Sequence, residues 1–237
     1  QAELTGMSQS EWLDAYVLHR RPYRETSYIV DFFTFQQGKV SAVAKGVRSS
    51  KNDRKSLLQP FRKVRVQLSG KTDLKNLRTI EGDGPVPMLS GNSLFCAMYL
   101  NEILNRVMPA GLASDTVYLQ YQLALNAIDE QPDIEKILRE FEFALLEEMG
   151  MLADWFSDGI SGEPVEESGW DFYSPEQGFV TCHQRDHKYR LPGAALLALG
   201  NGEWNDVSRR AAKLINRQAL HVLLGGKPLK SRELFRS

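Results

Sequence analysis

The sequence has few of the features that define several common protein classes. Its 237 residues include only two cysteines, Cys96 and Cys182, which is too few for a disulfide framework and indicates a reducing, cytoplasmic location. No apolar run approaches the roughly 20 residues that a membrane-spanning helix needs. The polar first ten residues also lack the basic and apolar regions of a signal peptide. We therefore expect a cytoplasmic protein that has no membrane partner.

Motifs of the common catalytic classes are missing as well. The chain contains no G-x-S-x-G, no H-E-x-x-H and no paired-cysteine redox motif. Gly225-Gly226-Lys227 is followed by Pro228, where a phosphate-binding P-loop requires Ser or Thr. We therefore expect no enzymatic activity and identify no catalytic residue.

Candidate metal ligands occur only in one incomplete group. Cys182, His183 and His187 lie within six residues, but structural zinc normally takes four ligands from two paired motifs. No second pair follows, and Cys96 stands alone. A two-metal nuclease needs carboxylates that converge on rigid strands, whereas the Asp and Glu of this chain lie mostly in predicted helices. We therefore expect neither a metal site nor another cofactor.

Charge is strongly sorted along the chain. Residues 1–80 carry 15 Lys and Arg against 7 Asp and Glu, residues 81–176 carry 3 against 19, and residues 177–237 carry 11 against 4. The net charge of −1 therefore conceals two basic blocks around an acidic middle. A basic block attracts polyanions, and nucleic acid is the commonest polyanion that a soluble protein meets.

The first basic block has the pattern of a small β-barrel. Residues 62–68 alternate apolar with mostly cationic side chains, which is typical of a half-buried strand with a basic outer face. Residues 46–60 predict a long, mobile, basic loop. Five short strands within about 80 residues favour a closed barrel of the OB type. The predicted strands are Leu13–His19, Ser27–Thr34, Lys39–Lys45, Arg62–Leu68 and Lys75–Glu81.

The rest of the chain is predicted to be helical. Residues 8–81 form the predicted barrel domain, and the Gly- and Pro-rich residues 82–89 form a linker. The predicted helices of the second domain, residues 90–237, are Leu94–Val107, Thr116–Ile128, Pro132–Met149, Ala194–Leu199 and Glu203–Leu224. A Gly- and Pro-rich insertion, residues 154–190, is predicted to be irregular. The expected fold is therefore a multidomain α+β protein with a five-stranded OB-type barrel followed by a helical domain that contains this insertion.

The cations of the barrel block are candidates for contacts with nucleic-acid phosphates. Residues 45–78 contain 11 Lys and Arg and only two Asp, and phosphate binding needs such a local excess of positive charge. The candidate DNA-binding residues are Lys39, Lys45, Arg48, Lys51, Arg54, Lys55, Arg62, Lys63 and Arg65. Four phenylalanines near this block either stack on bases or fill the barrel core, and core packing is the favoured alternative. They are Phe32, Phe33, Phe35 and Phe61.

A second basic set lies in the last predicted helix and the C-terminal segment. Its members are Arg209, Arg210, Lys213, Arg217, Lys227, Lys230 and Arg232. Three roles stay open for it: a second DNA-binding surface, a receptor for an acidic partner peptide, or pairing with the acidic middle of the chain within the fold.

Several short motifs occur in an order that resembles one known family. They are Leu18-His19, Arg21-Pro22, Glu25-Thr26-Ser27, residues 44–49, residues 58–61, Tyr99-Leu100-Asn101-Glu102, Arg139, Phe141-Glu142, residues 144–146 and residues 225–235. Each motif alone is weak, but their order from about Trp12 to Phe235 is specific. The chain resembles the bacterial recombination-mediator family RecO.

The resemblance implies an OB barrel followed by a helical body. It also implies binding of single- and double-stranded DNA, annealing of complementary strands and a nucleoid-associated role in recombinational repair of DNA damage. The implied partners are RecR and the acidic C-terminal tail of the single-stranded-DNA-binding protein, with which the family helps a recombinase to load. Because the chain lacks a four-cysteine module, it resembles the zinc-free, gammaproteobacterial-like branch. The alternative is a protein-binding scaffold whose basic barrel meets an acidic protein partner.

Overall fold

Five strands in the first part of the chain close into a barrel. The structure is a computed structural model that describes residues 10–49, 53–130 and 132–235. The strands are β1 (Trp12–Tyr23), β2 (Ser27–Thr34), β3 (Gly38–Ala44), β4 (Lys63–Ser69) and β5 (Leu74–Gly82). Their order around the barrel is β1-β2-β3-β5-β4, and all neighbours are antiparallel except β3 and β5. The predicted five-stranded OB-type barrel is confirmed.

The barrel core follows from the alternation of side chains along the strands. Ala15 and Val17 of β1 and Val64 and Val66 of β4 are fully buried, because every second residue of a barrel strand points inward. Two of the candidate phenylalanines also fill the interior of this part of the protein. Both Phe32 and Phe33 are fully buried, so core packing, the favoured alternative, holds for them.

Two described residues of the connection between β3 and β4, for which the sequence predicted a mobile basic loop, pack into the barrel core. Val47 and Leu58 belong to the barrel core and are 2% and 0% exposed. A short helix, α1 (Arg54–Leu57), lies between them. Burial of two large apolar side chains stabilises the connection at two points, and the sequence reading overlooked them among the charged residues.

A segment from beyond the predicted linker belongs to the same compact unit as the barrel. This unit comprises the described residues up to Ser90 together with Met108–Tyr118, and the second unit comprises Gly91–Val107 and the chain from Leu119 onward. The predicted boundary at residues 82–89 therefore places Met108–Tyr118 in the second domain, whereas the chain returns to the barrel there.

Aromatic packing and a glycine explain this return. The ring centroid of Tyr118 lies 5.6 Å from those of Tyr16 and Phe33 and 5.3 Å from that of Phe35. Gly38 has a φ of 69° and approaches the Leu112 carbonyl so closely that a Cβ would clash with it. Glycine is therefore required at this position, both for the backbone conformation and for the close approach.

The second unit contains most of the helices and a small sheet. The helices are α2 (Gly91–Val107), α3 (Asp115–Ala127), which begins in the first unit, α4 (Ile134–Glu148), α5 (Gly193–Gly200), α6 (Asp206–Leu223) and a 3₁₀ helix (Lys230–Phe235). No helix in the described part of the chain combines the length and the apolarity that crossing a bilayer requires.

The predicted irregular insertion contains two strands of an antiparallel sheet, and the third strand follows the insertion directly. The strands of this sheet are β6 (Trp170–Ser174), β7 (Gly178–Thr181) and β8 (Leu191–Pro192), in the order β7-β6-β8. The prediction of an irregular segment is wrong for β6 and β7. The strands are only two to five residues long, so the alternation within them is hidden by the surrounding glycines and prolines.

A buried carboxylate joins three helices of the second unit. Glu142 of α4 is fully buried and accepts hydrogen bonds from the Tyr99 hydroxyl of α2, the Arg139 guanidinium and the Asn216 amide of α6. Burial, and next the charge of Glu142, raises the pKa of Tyr99 well above its usual value. These contacts give a structural role to Tyr99, Arg139 and Glu142, three residues of the family motifs.

Candidate nucleic-acid interface

The hairpin of β1 and β2 is longer than predicted and carries additional cations. β1 continues past His19 to Tyr23, and Tyr23 pairs with Ser27 across a tight turn. Arg24 occupies this turn with a φ of 53°. The extension brings Arg20 and Arg24, which the sequence analysis did not select, close to two residues that it did.

Three arginines lie against two tyrosine rings at this hairpin, and Lys45 lines a cavity together with Tyr23 and Arg24. The guanidinium carbon of Arg20 lies 4.6 Å from the centroid of the Tyr28 ring, and that of Arg48 lies 5.8 Å from it. The Arg24 guanidinium carbon lies 5.0 Å from the Tyr23 ring. We call Arg20, Arg24, Lys45 and Arg48, with Tyr23 and Tyr28, the hairpin cluster.

Hydrogen bonds hold the side chains of two arginines of the hairpin cluster, Arg48 and Arg20, in place. Arg48 donates from Nη1 to the carbonyl oxygen of Arg24 at 2.8 Å, and its backbone N–H donates to Thr26 at 3.0 Å. Arg20 donates from Nη1 to the carbonyl oxygen of Lys55 at 3.1 Å. A guanidinium has five N–H donors, so donors of each arginine remain for a ligand.

An open cavity of about 730 Å³ adjoins the hairpin cluster. Its polar and charged lining includes Arg24, Lys45, Glu25 and Asn76. Glu25 is the one carboxylate among these lining residues, so the cationic groups outnumber it. Cations beside partly exposed rings suit a ligand that has both phosphates and flat bases.

Helix α1 lies next to the hairpin cluster and contributes two predicted candidates. The carbonyl oxygen of Lys55 is the one that Arg20 contacts. Arg54 donates from Nη2 to the carbonyl oxygen of Arg78 at 3.4 Å. Both side chains are partly exposed. Lys51, a further candidate, lies outside the described residues.

Two predicted candidates on β4 are opposed by carboxylates of neighbouring segments of the chain. Lys63 Nζ lies 3.6 Å from Asp83, and Arg65 lies 3.3 Å from Glu81 and 3.9 Å from Asp14. Asp14 and Glu81 occupy the register positions on either side of Arg65. The outer face of β4 is therefore less basic than the sequence predicted, because the opposing carboxylates come from β1, from β5 and from Asp83 just after β5.

Lys39 and Arg62 differ from the exposed candidates. Burial lowers the pKa of Lys39, while the nearby charge of Asp31 acts in the opposite direction. Arg62 has its Nε buried without a hydrogen-bond partner among the described residues.

Sequence analysis missed Arg20 and Arg24 because it ended the first strand at His19. A signal was available, since Arg20, Arg21 and Arg24 flank Tyr23 and cations beside aromatic residues are typical of nucleic-acid contacts. The local excess of Lys and Arg over Asp and Glu is larger in residues 45–78 than around Tyr23. Strand pairing was needed to place residue 24 beside residue 48.

Arg209 of the second basic set is paired within the fold. It donates two hydrogen bonds to Asp133, the N-cap residue of α4. These bonds hold the pKa of Asp133 at about 2, well below its usual value. For Arg209, the structure therefore supports the third of the predicted roles, pairing with the acidic middle of the chain.

The other cations of α6 form an exposed stripe. Arg210, Lys213 and Arg217 are exposed and lie three and four residues apart, which places them on one helix face. Exposed apolar residues lie near both ends of the helix, where Val207 is 38% and Val222 51% exposed. We call Arg210, Lys213 and Arg217 the α6 stripe.

The backbone of the C-terminal segment is tied to helix α2. Glu102 accepts hydrogen bonds from the backbone N–H groups of Lys230 and Ser231 at 2.6 and 3.1 Å. Arg106 donates to the carbonyl oxygens of Lys227 and Pro228. The side chains of Lys227, Lys230 and Arg232 are exposed.

The three candidate metal ligands are not gathered into a site. His187 stacks on Phe172 with a centroid distance of 5.0 Å, and the thiol of Cys182 contacts the carbonyl oxygen of Gln184. Within the described ranges, no three His, Cys, Asp or Glu side chains are grouped so that they could hold a metal ion.

The sequence matches two family profiles that together cover most of the chain. Residues 7–84 match the profile described as recombination protein O N terminal, and residues 88–233 match the profile described as recombination protein O C terminal. The junction between the two profiles falls within the predicted linker.

Several curated proteins named DNA repair protein RecO are similar to this chain. The protein of Alteromonas mediterranea is 56% identical over 227 residues, which cover 95% of this chain and 97% of the relative. That of Pseudoalteromonas atlantica is 45% identical over 229 residues, covering 96% and 95%. That of Yersinia pestis is 41% identical over 229 residues, covering 95% and 94%.

Proposed function

The chain belongs to the recombination protein O family, as its motifs predicted, and we propose that it is a non-enzymatic DNA-binding mediator of recombinational repair. Its relatives are named DNA repair proteins, which supports a role in repair and recombination. In this proposal it acts at the nucleoid in the cytoplasm, binds single- and double-stranded DNA, anneals complementary strands and helps a recombinase to load on coated single strands.

The hairpin cluster is the observation that supports DNA binding most directly. It combines cations from β1, from the hairpin turn and from the connection after β3 with two tyrosine rings. Arginine suits phosphate because its guanidinium presents several donors in a fixed plane. We propose that Arg24, Lys45 and Arg48 contact phosphates, with Arg20, Arg54 and Lys55 beside them.

Annealing follows from the same electrostatics. Two complementary strands repel each other through their phosphates, and a cationic surface that holds both strands lowers this repulsion. Contacts to the sugar–phosphate backbone carry no sequence information, so the proposed activity is independent of sequence. Lys39, Arg62, Lys63 and Arg65 take a smaller part in this proposal because they are paired or partly buried.

The experiment compares two variants with the same change in net charge. Arg24→Gln/Lys45→Gln removes two cations of the hairpin cluster, and Lys63→Gln/Arg65→Gln removes two cations of β4. Affinity for a mixed-sequence oligonucleotide is measured over a range of salt concentrations. We expect the hairpin variant to lower the log–log salt slope by about one for each cation removed, and the β4 variant to lower it less.

An equal decrease of the salt slope in the two variants would contradict the assignment of phosphate binding to the hairpin cluster. A wild-type affinity that does not change with salt would contradict phosphate binding altogether, since counterion release makes such binding salt-dependent. Annealing of complementary strands coated with the single-stranded-DNA-binding protein should be slower with the hairpin variant than with the β4 variant. Circular dichroism and thermal unfolding check that both variants are folded.

The proposed protein partners rest on family membership. They are RecR and the acidic C-terminal tail of the single-stranded-DNA-binding protein. For the tail, the α6 stripe is the better candidate within the second basic set, because its three cations are exposed and the exposed Val207 lies one turn from Arg210. Arg209 is excluded from this role because Asp133 already pairs with it.

A protein-binding scaffold is the alternative function. In that case, the hairpin cluster would bind an acidic protein rather than DNA. A gel shift with a mixed-sequence oligonucleotide separates the two functions, because a scaffold of this kind would not retard the oligonucleotide at physiological salt. The tyrosine rings of the hairpin cluster favour DNA, since unpaired bases stack on aromatic faces.

A further inference from the structure

Strand β6, in the sheet of β6, β7 and β8, has one buried face and one partly open face, and Val180 of β7, opposite Phe172, is buried. Asp171 and Tyr173 of β6 are buried, whereas Trp170 and Phe172, which alternate with them, are exposed and partly exposed. Successive side chains of a strand point to opposite faces, so Trp170 and Phe172 share the open face. Trp170 keeps 40% of its surface exposed, which is a large apolar area to leave in water.

The loop between β7 and β8 adds further rings to this face. The His187 ring stacks on Phe172 with 5.0 Å between centroids and 23° between planes. Tyr189, which is 41% exposed, lies edge-on to His187 at 6.4 Å. The open face therefore continues from the strand into the loop as a series of aromatic groups.

Cations accompany these rings. The Arg190 guanidinium carbon lies 4.1 Å from the centroid of Trp170, and Lys188 Nζ lies 5.4 Å from that of Tyr189. Residues 182–190 carry three Lys and Arg and a single Asp. We call the following residues the insertion surface: Trp170, Phe172, His187, Lys188, Tyr189 and Arg190.

This combination identifies the class of ligand. Single-stranded nucleic acid offers unpaired bases, which stack on aromatic rings, and phosphates, which pair with neighbouring cations. A duplex keeps its bases stacked within the helix and presents only their edges in the grooves. An acidic peptide would use the cations but would leave the exposed ring faces without flat partners.

We propose that the insertion surface binds the bases of single-stranded DNA as a second contact, distinct from the hairpin cluster. Trp170 and Tyr189 supply the ring faces, and Lys188 and Arg190 supply the charges that hold the flanking phosphates. The proposal rests on the proposed DNA-binding function, but its residues all belong to the second unit and can be tested separately.

The test compares oligonucleotides that have and lack bases. Affinities of the wild type and of Trp170→Ala/Tyr189→Ala are measured by fluorescence anisotropy for an oligothymidine and for an abasic oligonucleotide of equal length. We expect the variant to bind oligothymidine about tenfold more weakly for each stacked base that is lost, and to bind the abasic strand as the wild type does. Trp170→Phe keeps a ring and should remain within about threefold of the wild type.

The hairpin variant Arg24→Gln/Lys45→Gln serves as the matched control, because it should weaken both oligonucleotides alike. If Trp170→Ala/Tyr189→Ala, the ring variant, lost affinity equally for both oligonucleotides, or for neither, the insertion surface would be overturned as a base-binding site. A larger loss for an acidic peptide than for oligothymidine would also overturn it and would assign the surface to a protein partner. If the hairpin variant kept the wild-type affinity for both oligonucleotides while the ring variant behaved as expected, the proposed barrel site would be overturned and this inference would stand.

A second measurement needs no variant. The wild-type chain is irradiated with an oligonucleotide that carries 5-iodouracil, and the crosslinked peptides are identified by mass spectrometry. We expect crosslinks at Trp170 or Tyr189, because photocrosslinking requires close contact between base and ring. Crosslinks confined to the barrel residues would contradict the proposal even if the ring variant failed to fold.

Discussion

Asp171 of β6 and Asp158, which contacts Thr181 of β7, show how local surroundings set the charge of a side chain. Asp158 accepts hydrogen bonds from the backbone of Ser161, Ile160 and Thr181, and these bonds, the one from Ser161 first, hold its pKa well below the usual value. Burial, followed by the charges of Asp158 and Glu166, raises the pKa of Asp171 to about 6. Hydrogen bonds favour the ionised form, whereas burial and like charges disfavour it.

Asp171→Asn should make the protein more stable at neutral pH. Between about pH 4, the pKa of an unfolded aspartate, and about pH 6, folded Asp171 keeps a proton that the unfolded chain releases. Stability of the wild type therefore falls as the pH rises through this interval and stays lower above it. The free energy of unfolding of the variant minus that of the wild type should therefore be larger at pH 7.5 than at pH 4.5, by on the order of 2 kcal/mol. Urea unfolding at the two pH values measures this difference.

Asp158→Asn is the matched control at the same sheet. The depressed pKa of Asp158 contributes stability above the unfolded pKa, and this stability disappears only in acid. The control should therefore lose stability at pH 7.5, opposite in sign to Asp171→Asn. A stability difference between Asp171→Asn and the wild type that is equal at both pH values would contradict the raised pKa.

At the scale of elements, helix α2 organises much of the second unit. The motif Tyr99-Leu100-Asn101-Glu102 lies on it. Tyr99 contacts the buried Glu142, Asn101 accepts a hydrogen bond from Tyr121, and Glu102 holds the C-terminal segment. A motif that carries the family resemblance is therefore explained by contacts that hold helices together.

Glu102→Ala should loosen the C-terminal segment. The Glu102 carboxylate accepts from the backbone N–H groups of Lys230 and Ser231 at the start of the 3₁₀ helix, where an anion is favourable. Hydrogen bonds to a charged group contribute about 1.5–3 kcal/mol each, so we expect a loss of a few kcal/mol in the local stability. Limited proteolysis should cleave near residues 225–235 faster in the variant than in the wild type.

Glu176→Ala is a suitable control for this experiment. Glu176 is exposed in the turn between β6 and β7, and its removal takes away the same charge. Cleavage that is equally fast in Glu102→Ala and Glu176→Ala would show that the contacts of Glu102 do not hold the segment.

At the scale of the whole molecule, the two basic blocks of the sequence belong to two compact units. The hairpin cluster lies in the first unit, and the α6 stripe and the insertion surface lie in the second. The overall charge of −1 says little about binding, because each surface acts through its own local field within roughly a Debye length of 8–10 Å.

The hairpin cluster and the α6 stripe should have separable ligands. Lys213→Glu/Arg217→Glu should weaken an acidic peptide that ends in hydrophobic residues by tenfold or more, since like charges across an interface are strongly unfavourable. The same variant should keep its affinity for an oligonucleotide. The hairpin variant Arg24→Gln/Lys45→Gln should show the reverse pattern, and anisotropy titrations with both ligands measure it. Parallel loss of both ligands in both variants would contradict separate surfaces.

Much of the fold was predictable because its signals are local. The period-two pattern around residues 62–68 predicted a half-buried strand, and β4 is found at Lys63–Ser69. The helical periodicity predicted a helix over Pro132–Met149. The structure has α4 at Ile134–Glu148, with Asp133 as its N-cap. Local periodicity failed for the insertion, where strands of four and five residues are too short for a pattern to be recognised.

By itself, the sequence determined the barrel, the helical second part, the sorted charge and the family, since these depend on periodicity, composition and the order of motifs. The tertiary structure alone decided which cations are available to a ligand. Arg65 is opposed by Asp14 and Glu81 because strand register brings three distant segments side by side. Arg24 meets Arg48 because the hairpin turn and the connection after β3 converge. Such pairings depend on contacts between residues far apart in the chain, and no local pattern encodes them.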